Sequence, residues 1–415
     1  MAPNRIVELS ETIQNHTKIV DDYLEANNLP TPSFDISTPL RLPLPPDIQV
    51  SQAAVLDAAD ELTALMLGPA GSLFNSLTSL QAIERFALAK SFRPGSTASF
   101  AQIAHHSSLP EPDTRRILRH AIAQYIFTEP SPGIVAHTAA SKALAELPPL
   151  AHCVAFLAGE MWPASTRLVD AMQRWPGSEE PGQTGWALAE GTETPMFEVV
   201  GREGERARRM AGAMRWMHQG SGYGAGHVVE GFAWGEAAEG GMLVDVGGGT
   251  GGVAVEIARM LPRVRCVVQD LPDVVAGAEV PEDLGEGRVR FMQHDFFEEQ
   301  PVRGADVYLL RWVLHDWSDK YAVRILRNLV PALKRGARVL AVDLCLPPPG
   351  ALSPYRERSV RTFDLAMKAI QNAKERDAED WKMLFQTADE RFKMGEISKP
   401  EGSNLSLICA VWEGD

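Results

Sequence analysis

The feature that most constrains this chain is VDVGGGTGG, residues 244–252. A short apolar run of strand character ends in glycines and passes at once into GGVAVEIARMLP, whose apolar residues recur at helical spacing. Gly247, Gly249 and Gly252 fit the pattern G-x-G-x-x-G, and Asp270 follows 18 residues after Gly252, near the end of a second apolar run, RCVVQDLP. Glycines in such a turn let the backbone approach a ligand, and a carboxylate at the next strand end can take two ribose hydroxyls. A glycine turn without a ligand is the plain alternative, and the glycine cluster between a strand and a helix argues against it. The pattern alone does not separate a nicotinamide dinucleotide from S-adenosylmethionine, since both contain an adenosine ribose. Asp245, inside D-x-G-x-G-x-G, favours the second: a carboxylate suits an ammonium group and is unwelcome beside a pyrophosphate.

The chain around this motif alternates strand and helix. RVRFMQHD and ADVYLLRWV read as a third and fourth strand, Ser318 to Lys334 as a helix with Gly336 just past its end, and ARVLAVDLCLP as a fifth strand. Such alternation predicts an α/β fold with a parallel sheet covered on both faces. Two late apolar runs, Phe392–Ile397 and Leu405–Val411, have no helix between them and predict an antiparallel pair at the sheet edge. Nothing after Asp270 reads as the second half of a dinucleotide fold; the chain instead reaches Asp295 and Phe296, where an adenine amine and ring face can be held.

The N-terminal part has a different texture. A first helix is followed by LPTPSFDISTPLRLPLPPDIQV (29–50), whose prolines predict an extended arm, and then by helical spacing from Ser51 to about Ala89. Residues 99–138 read as helix, turn, helix and two short strands around a Pro-Gly turn, the order of a winged helix. Arg115, Arg116 and Arg119 on its second helix invite a DNA reading. Charge argues against it: residues 1–150 carry 10 Lys/Arg against 15 Asp/Glu, and the whole chain of 415 residues has a formal charge of −14. Those arginines therefore read as a solvated face or as salt-bridge partners. The segment WPGSEEPGQTG (175–185) reads as a surface loop. Four widely spaced cysteines, Cys153, Cys266, Cys345 and Cys409, read as small buried hydrophobes rather than a disulfide frame or metal site. Neither a signal-peptide core nor a membrane-spanning run is visible, so the expectation is a cytoplasmic protein without a membrane partner.

The order LVDVGGGTGG, VVQDLP, QHDFF, RWVLHDWSD, VLAVDLCLP and NAKERDAEDW resembles the caffeic acid O-methyltransferase family, in particular its fungal secondary-metabolism branch. The resemblance runs from about Trp186 to the C-terminus, and the winged-helix module is similar to that family's dimerisation domain. It implies a Rossmann-like S-adenosylmethionine methyltransferase sheet at 151–415, a mostly helical winged-helix dimerisation domain at 1–150, and an intertwined homodimer. It also implies methyl transfer to a hydroxyl of a small phenolic, polyketide-like metabolite, without a metal. On this resemblance Asp245, Gly247 and Gly249 face the amino-acid part of the cofactor. Asp270 and Leu271 face its ribose, Asp295 and Phe296 its adenine, and Arg311 lies near it. His315 falls on the family's base, and histidine suits that role because its ordinary pKa near 6.5 leaves it neutral at pH 7. Glu375 matches one of two glutamates that orient the base; the other position holds Asp343, one methylene shorter. Met214, Met217, Tyr223, Trp312, Met367 and Gln371 are expected to wall the acceptor, although methionines at i, i+3 also suit plain core. The competing readings are a methyltransferase-like pericyclase or dehydratase that binds the cofactor without transferring its methyl, a nicotinamide-dependent oxidoreductase, and a cofactor-sensing DNA regulator.

Overall fold

The computed structural model describes residues 4–32, 44–73, 77–218 and 222–415. It divides into two compact units, Met1–Ala151 and His152–Asp415.

In the first unit, helices α1 (Arg5–Ala26) and α2 (Pro46–Ser72) pack together, and α3 (Leu77–Arg85) follows. The expected arm is shorter than 29–50, because α2 already begins at Pro46. Proline is tolerated in a first helical turn, where its missing N–H would have no partner. The expected run at 33–43 lies outside the described residues. The helical stretch predicted from Ser51 is also broken, at Gly68 (φ +71) ahead of Pro69. The winged-helix order is present: β1 (Thr97–Ser99), α4 (Phe100–Ser107), α5 (Glu111–Ala123), β2 (Phe127–Ser131) and β3 (Ile134–His137) form a sheet ordered β1-β3-β2, and α6 (Ala139–Glu146) follows. Strand β1 was not legible, being only three residues long. Ser99 caps α4 in a capping box with Gln102. On α5, Arg115 pairs with Glu111 and Arg119 with Glu129, and both guanidinium groups lie over the Phe100 ring. These are the structural roles that the charge balance predicted for two of the three arginines.

The second unit begins within α7 (Pro148–Phe156), which runs through a π-helical turn at Leu157–Met161 into α8 (Trp162–Thr166). Short helices α9 (Leu168–Arg174), α10 (Gly185–Glu190), α11 (Met196–Arg202), α12 (Gly204–His218) and α13 (Gly226–Gly231) lead to the sheet. Then come β4 (Met242–Val246), α14 (Gly252–Met260), β5 (Arg265–Asp270), α15 (Pro272–Val275), β6 (Val289–Gln293), β7 (Val307–Arg311), α16 (Asp319–Leu329) and β8 (Arg338–Asp343). The chain closes with β9 (Cys345–Leu346), α17 (Pro354–Gln371), β10 (Arg376–Asp377), α18 (Ala378–Ala388), β11 (Phe392–Met394) and β12 (Ser406–Trp412).

The main sheet has seven strands in the order β11-β12-β8-β7-β4-β5-β6, parallel except where β12 pairs antiparallel with β8 and β11. Successive residues of a strand point to opposite faces, and the core divides accordingly. Tyr308, Leu310, Val339 and Ala341 join one cluster with Leu326, Trp381 and Phe385. Val307, Leu309, Leu340 and Val342 join another with Val228, Phe232 and Ile257. Burial on both faces explains why these strands read as unbroken apolar runs. Strand order reverses between β4 and β7, so the crevice at the carboxyl ends of β4, β5, β7 and β8 is where such a sheet takes its ligand. All four cysteines are free; Cys153 and Cys266 are buried as expected, whereas Cys345 and Cys409 are only half-buried.

Candidate active site

The glycine loop leaves β4 with positive φ at Gly247 (+72), Gly249 (+60) and Gly251 (+79). At Gly247 a Cβ would stand 2.9 Å from Val313 Cγ2, and at Gly251 2.7 Å from the Phe291 ring, whereas at Gly249 it would meet open space. Gly252, which the sequence pattern singled out, lies in ordinary helical backbone with room for a Cβ; the closing turn needs glycine at Gly251 instead. Backbone N–H groups of Gly247 and Gly248 donate to Gln269 O, which locks the loop to β5. Asp270 accepts the Gly249 N–H on Oδ2 and the Leu271 N–H on Oδ1, each at 2.8 Å. A carboxylate held at both oxygens still has lone pairs for a ribose diol.

Asp245 is buried under this loop with Oδ2 unpartnered. Burial pushes its carboxyl up to about 7, against the opposing pull of Arg311. An orphaned buried carboxylate beside a loop with an open glycine fits a ligand that brings an ammonium group, which is the chemistry of S-adenosylmethionine. Phe296 approaches Gly247 and packs edge-on to Phe297 and Trp317. Asp295 is exposed and accepts the Phe297 N–H, and Leu271 is also exposed. Arg311, at the end of β7, is buried and donates to the Tyr223 carbonyl at 2.6 Å.

Beyond Arg311 the chain turns through Trp312 at φ +54, a rare conformation for an aromatic residue, into a tight turn at Leu314–Asp316. His315 sits there, buried, with Nδ1 2.8 Å from Glu375 Oε1 and Nε2 3.6 Å from Asp316 Oδ1. Burial opposes a charge on this imidazole, but Asp316, the Glu375 hydrogen bond and the nearby Asp343 outweigh it and lift the pKa to about 10. Burial likewise raises Asp316 to about 6 and Asp343 to about 8. Asp343, at the end of β8, is fully buried with both oxygens unpartnered. It therefore makes no hydrogen bond to the imidazole.

The expected acceptor wall falls into two groups that meet at His315. Trp312 touches Tyr223 edge-on at 5.4 Å and His315 at 5.9 Å. Met367 lies in a core cluster against which Met214, Met217 and Phe363 pack, and the Phe363 ring stacks on His315 at 6.1 Å. Phe363, Met367 and Gln371 are spaced i, i+4, i+8 on α17 and share one face. Gln371 is buried with both side-chain polar atoms unpartnered.

Sequence reasoning missed four residues here. Phe363 carried a signal in its four-residue spacing from Met367. Asp316 adjoins His315, but only the fold shows that its half-buried carboxylate faces Nε2 of the ring. Arg376 is fully buried, donating to the carbonyls of Leu314 and Trp317 and to Asp319 at 2.8–2.9 Å, and so clips the backbone on both sides of His315. Asp364 accepts the Glu375 N–H at 2.9 Å and fixes the other partner.

Comparison with known proteins identifies the family. The O-methyltransferase domain family matches residues 176–390. The O-methyltransferase kk1A of Curvularia clavata is 39% identical over 99% of this chain and 98% of its own length. The chlorophenol O-methyltransferase of Trichoderma longibrachiatum is 36% identical over 99% and 91%. Among solved structures, OxaC in complex with SAH and oxaline aligns with a TM-score of 0.73, 20% identity and coverage of 97% of this chain and 100% of that one. A structure described as a pericyclic reaction enzyme aligns at 0.69, also with 20% identity and 97% and 100% coverage. At that identity both show the fold alone. The sequence matches carry the assignment: this chain belongs to the O-methyltransferase family and is an S-adenosylmethionine-dependent O-methyltransferase.

Proposed function

We propose that the chain methylates a hydroxyl of a small aromatic, polyketide-like metabolite, with His315 as the general base. The observation that carries this reading is the buried His315–Glu375 hydrogen bond beside the glycine loop. Bound S-adenosylmethionine supplies an electrophilic methyl carbon on its sulfonium. Asp245, Gly247 and Gly249 hold its amino-acid part, Asp270 and Leu271 its ribose, Asp295 and Phe296 its adenine, with Arg311 alongside. Glu375 takes the Nδ1–H of His315, which fixes the tautomer and leaves Nε2 to accept the hydroxyl proton. Asp316, facing Nε2, then stabilises the imidazolium. Trp312, Tyr223, Met214, Met217, Met367 and Gln371 orient the acceptor and keep water out. Asp343 shapes the pocket rather than orienting the ring. The name of the Trichoderma relative supports a phenolic acceptor. The first unit serves homodimerisation in this reading, supported by exposed Ile6, Val7 and Ile19 on α1 and Leu56, Leu65 and Met66 on α2. A monomeric mass in solution removes that part.

The test uses a chlorinated phenol as probe. S-adenosylhomocysteine is expected in equal amount to the methyl ether. His315→Gln should lose about 10²–10⁴-fold in turnover while keeping its affinity for the cofactor. Undiminished turnover removes His315 as the base. Rearrangement or dehydration of an acceptor without S-adenosylhomocysteine establishes the methyl-neutral alternative.

A further inference from the structure

The segment WPGSEEPGQTG, which the sequence marks as a surface loop, is bonded to the protein on several sides. Its residues 178–183 form a turn closed on itself. Ser178 Oγ donates to Gln183 Oε1 at 2.6 Å and accepts the Glu180 N–H at 3.1 Å, and the Gln183 N–H donates to Glu180 O at 3.0 Å. Pro181 and Gly182 are buried, and a Cβ on Gly182 would stand 1.9 Å from Glu193 O, so the turn is seated tightly on the segment after α10.

This strap holds two stretches that are distant in sequence. On one side is the start of α16, shortly after His315. Ser318 Oγ donates to Glu179 O at 3.0 Å, the Lys320 N–H donates to Glu179 Oε1 at 3.2 Å, and the Lys320 ammonium and Tyr321 hydroxyl donate to the Glu180 carboxylate. On the other side is the end of α17, shortly before Glu375. Lys368 donates to Ser178 O at 3.1 Å, and Asn372 Nδ2 donates to both Glu180 O and Gln183 O, each at 2.8 Å. These two stretches carry the buried pair His315 and Glu375, so the strap closes a frame around it.

Asn372 is the strongest tie in this frame. It is buried, ends α17 at φ +54, and spends both amide hydrogens on strap carbonyls. The ties of Lys320 and Tyr321 to Glu180 lie nearer the surface, where ion pairs contribute little. Asn372 also directly follows Gln371 and stands three residues before Glu375.

We propose, building on the methyl-transfer reading above, that the 178–183 strap aligns His315 with Glu375, and that Asn372 is the positioning residue through which it acts. The strap touches neither ring nor carboxylate. It fixes the ends of the two stretches that present them, and a misplacement of about 1 Å at such a pair can cost ~10²-fold in rate.

Asn372→Gly is the deciding variant, because glycine adopts the positive φ freely and only the amide is lost. With the chlorinated phenol as acceptor, kcat is expected to fall about tenfold, while the Kd of S-adenosylhomocysteine by calorimetry stays within about twofold. The His315 Nδ1 proton is followed by NMR on protein labelled with 15N-histidine and is assigned by its loss in His315→Gln. It should exchange with water at least about threefold faster in Asn372→Gly. Unchanged kcat and unchanged exchange overturn the proposal, since Asn372 then serves only to end the helix. A lower kcat with unchanged exchange overturns it too, because the strap then acts by another route. Faster exchange with unchanged kcat supports the frame and instead removes His315 as the base. Should Asn372→Gly not yield folded protein, Glu180→Ala, which cuts the ties to Lys320 and Tyr321, decides by the same readouts.

Discussion

The two sides of this site are built on different principles. The proposed cofactor cradle is a backbone device: glycines 247, 249 and 251 turn through positive φ, and Asp270 is anchored by two backbone N–H groups of the same crevice. The proposed acceptor side is a side-chain device. His315 comes from the turn after β7, Asp343 from the end of β8, Gln371 from α17 and Glu375 from the segment ahead of β10. His315 and Glu375 are 60 positions apart in sequence yet 2.8 Å apart in space. A backbone cradle tolerates little change in residue type and serves one ligand. A side-chain pocket can be retuned one residue at a time.

The sharpest way to break this comparison is Glu375→Gln. If the acceptor side works through side-chain alignment, turnover should fall about 100-fold while cofactor affinity, measured by calorimetry, stays put. A parallel loss of cofactor binding would show that the two sides are not separable. Next in size is the pH dependence. The neighbouring carboxylates lift His315 to about 10, and only its neutral form accepts a proton. kcat/KM should therefore climb by up to about tenfold per unit from pH 7 towards 9. Glu375→Gln should move this limb to lower pH, because one of the carboxylates that raise the pKa is gone; a flat profile counts against the base. Asp270→Asn probes the cradle with the smallest effect. Its amide can accept at one position only, so the cofactor Kd should rise about tenfold with kcat at saturation unchanged. A fall in kcat instead would place Asp270 on the acceptor side of the comparison.

The cradle was legible because its signal is local. Glycines between an apolar strand and a helix, with Asp245 before them and Asp270 at the next strand end, restrict the backbone within one βαβ unit. The pattern still named Gly252 where the structure needs Gly251, since the contact with Phe291 comes from β6, outside the motif. The edge pair β11–β12 was legible from two apolar runs without a helix between them. By contrast β1, three residues long, gave too little periodicity.

The sequence by itself determined the α/β class, the glycine turn and, through the HDW and KER segments, two partners of the proposed catalytic side. Only the tertiary structure decided what surrounds them. That Asp316 faces the imidazole half-buried, that Arg376 clips the backbone around it, and that Asp343 is buried with both oxygens unpaired all depend on where separate strands and helices end. Burial and mutual charge set the protonation of those groups, and neither quantity exists until the chain has brought its distant segments together.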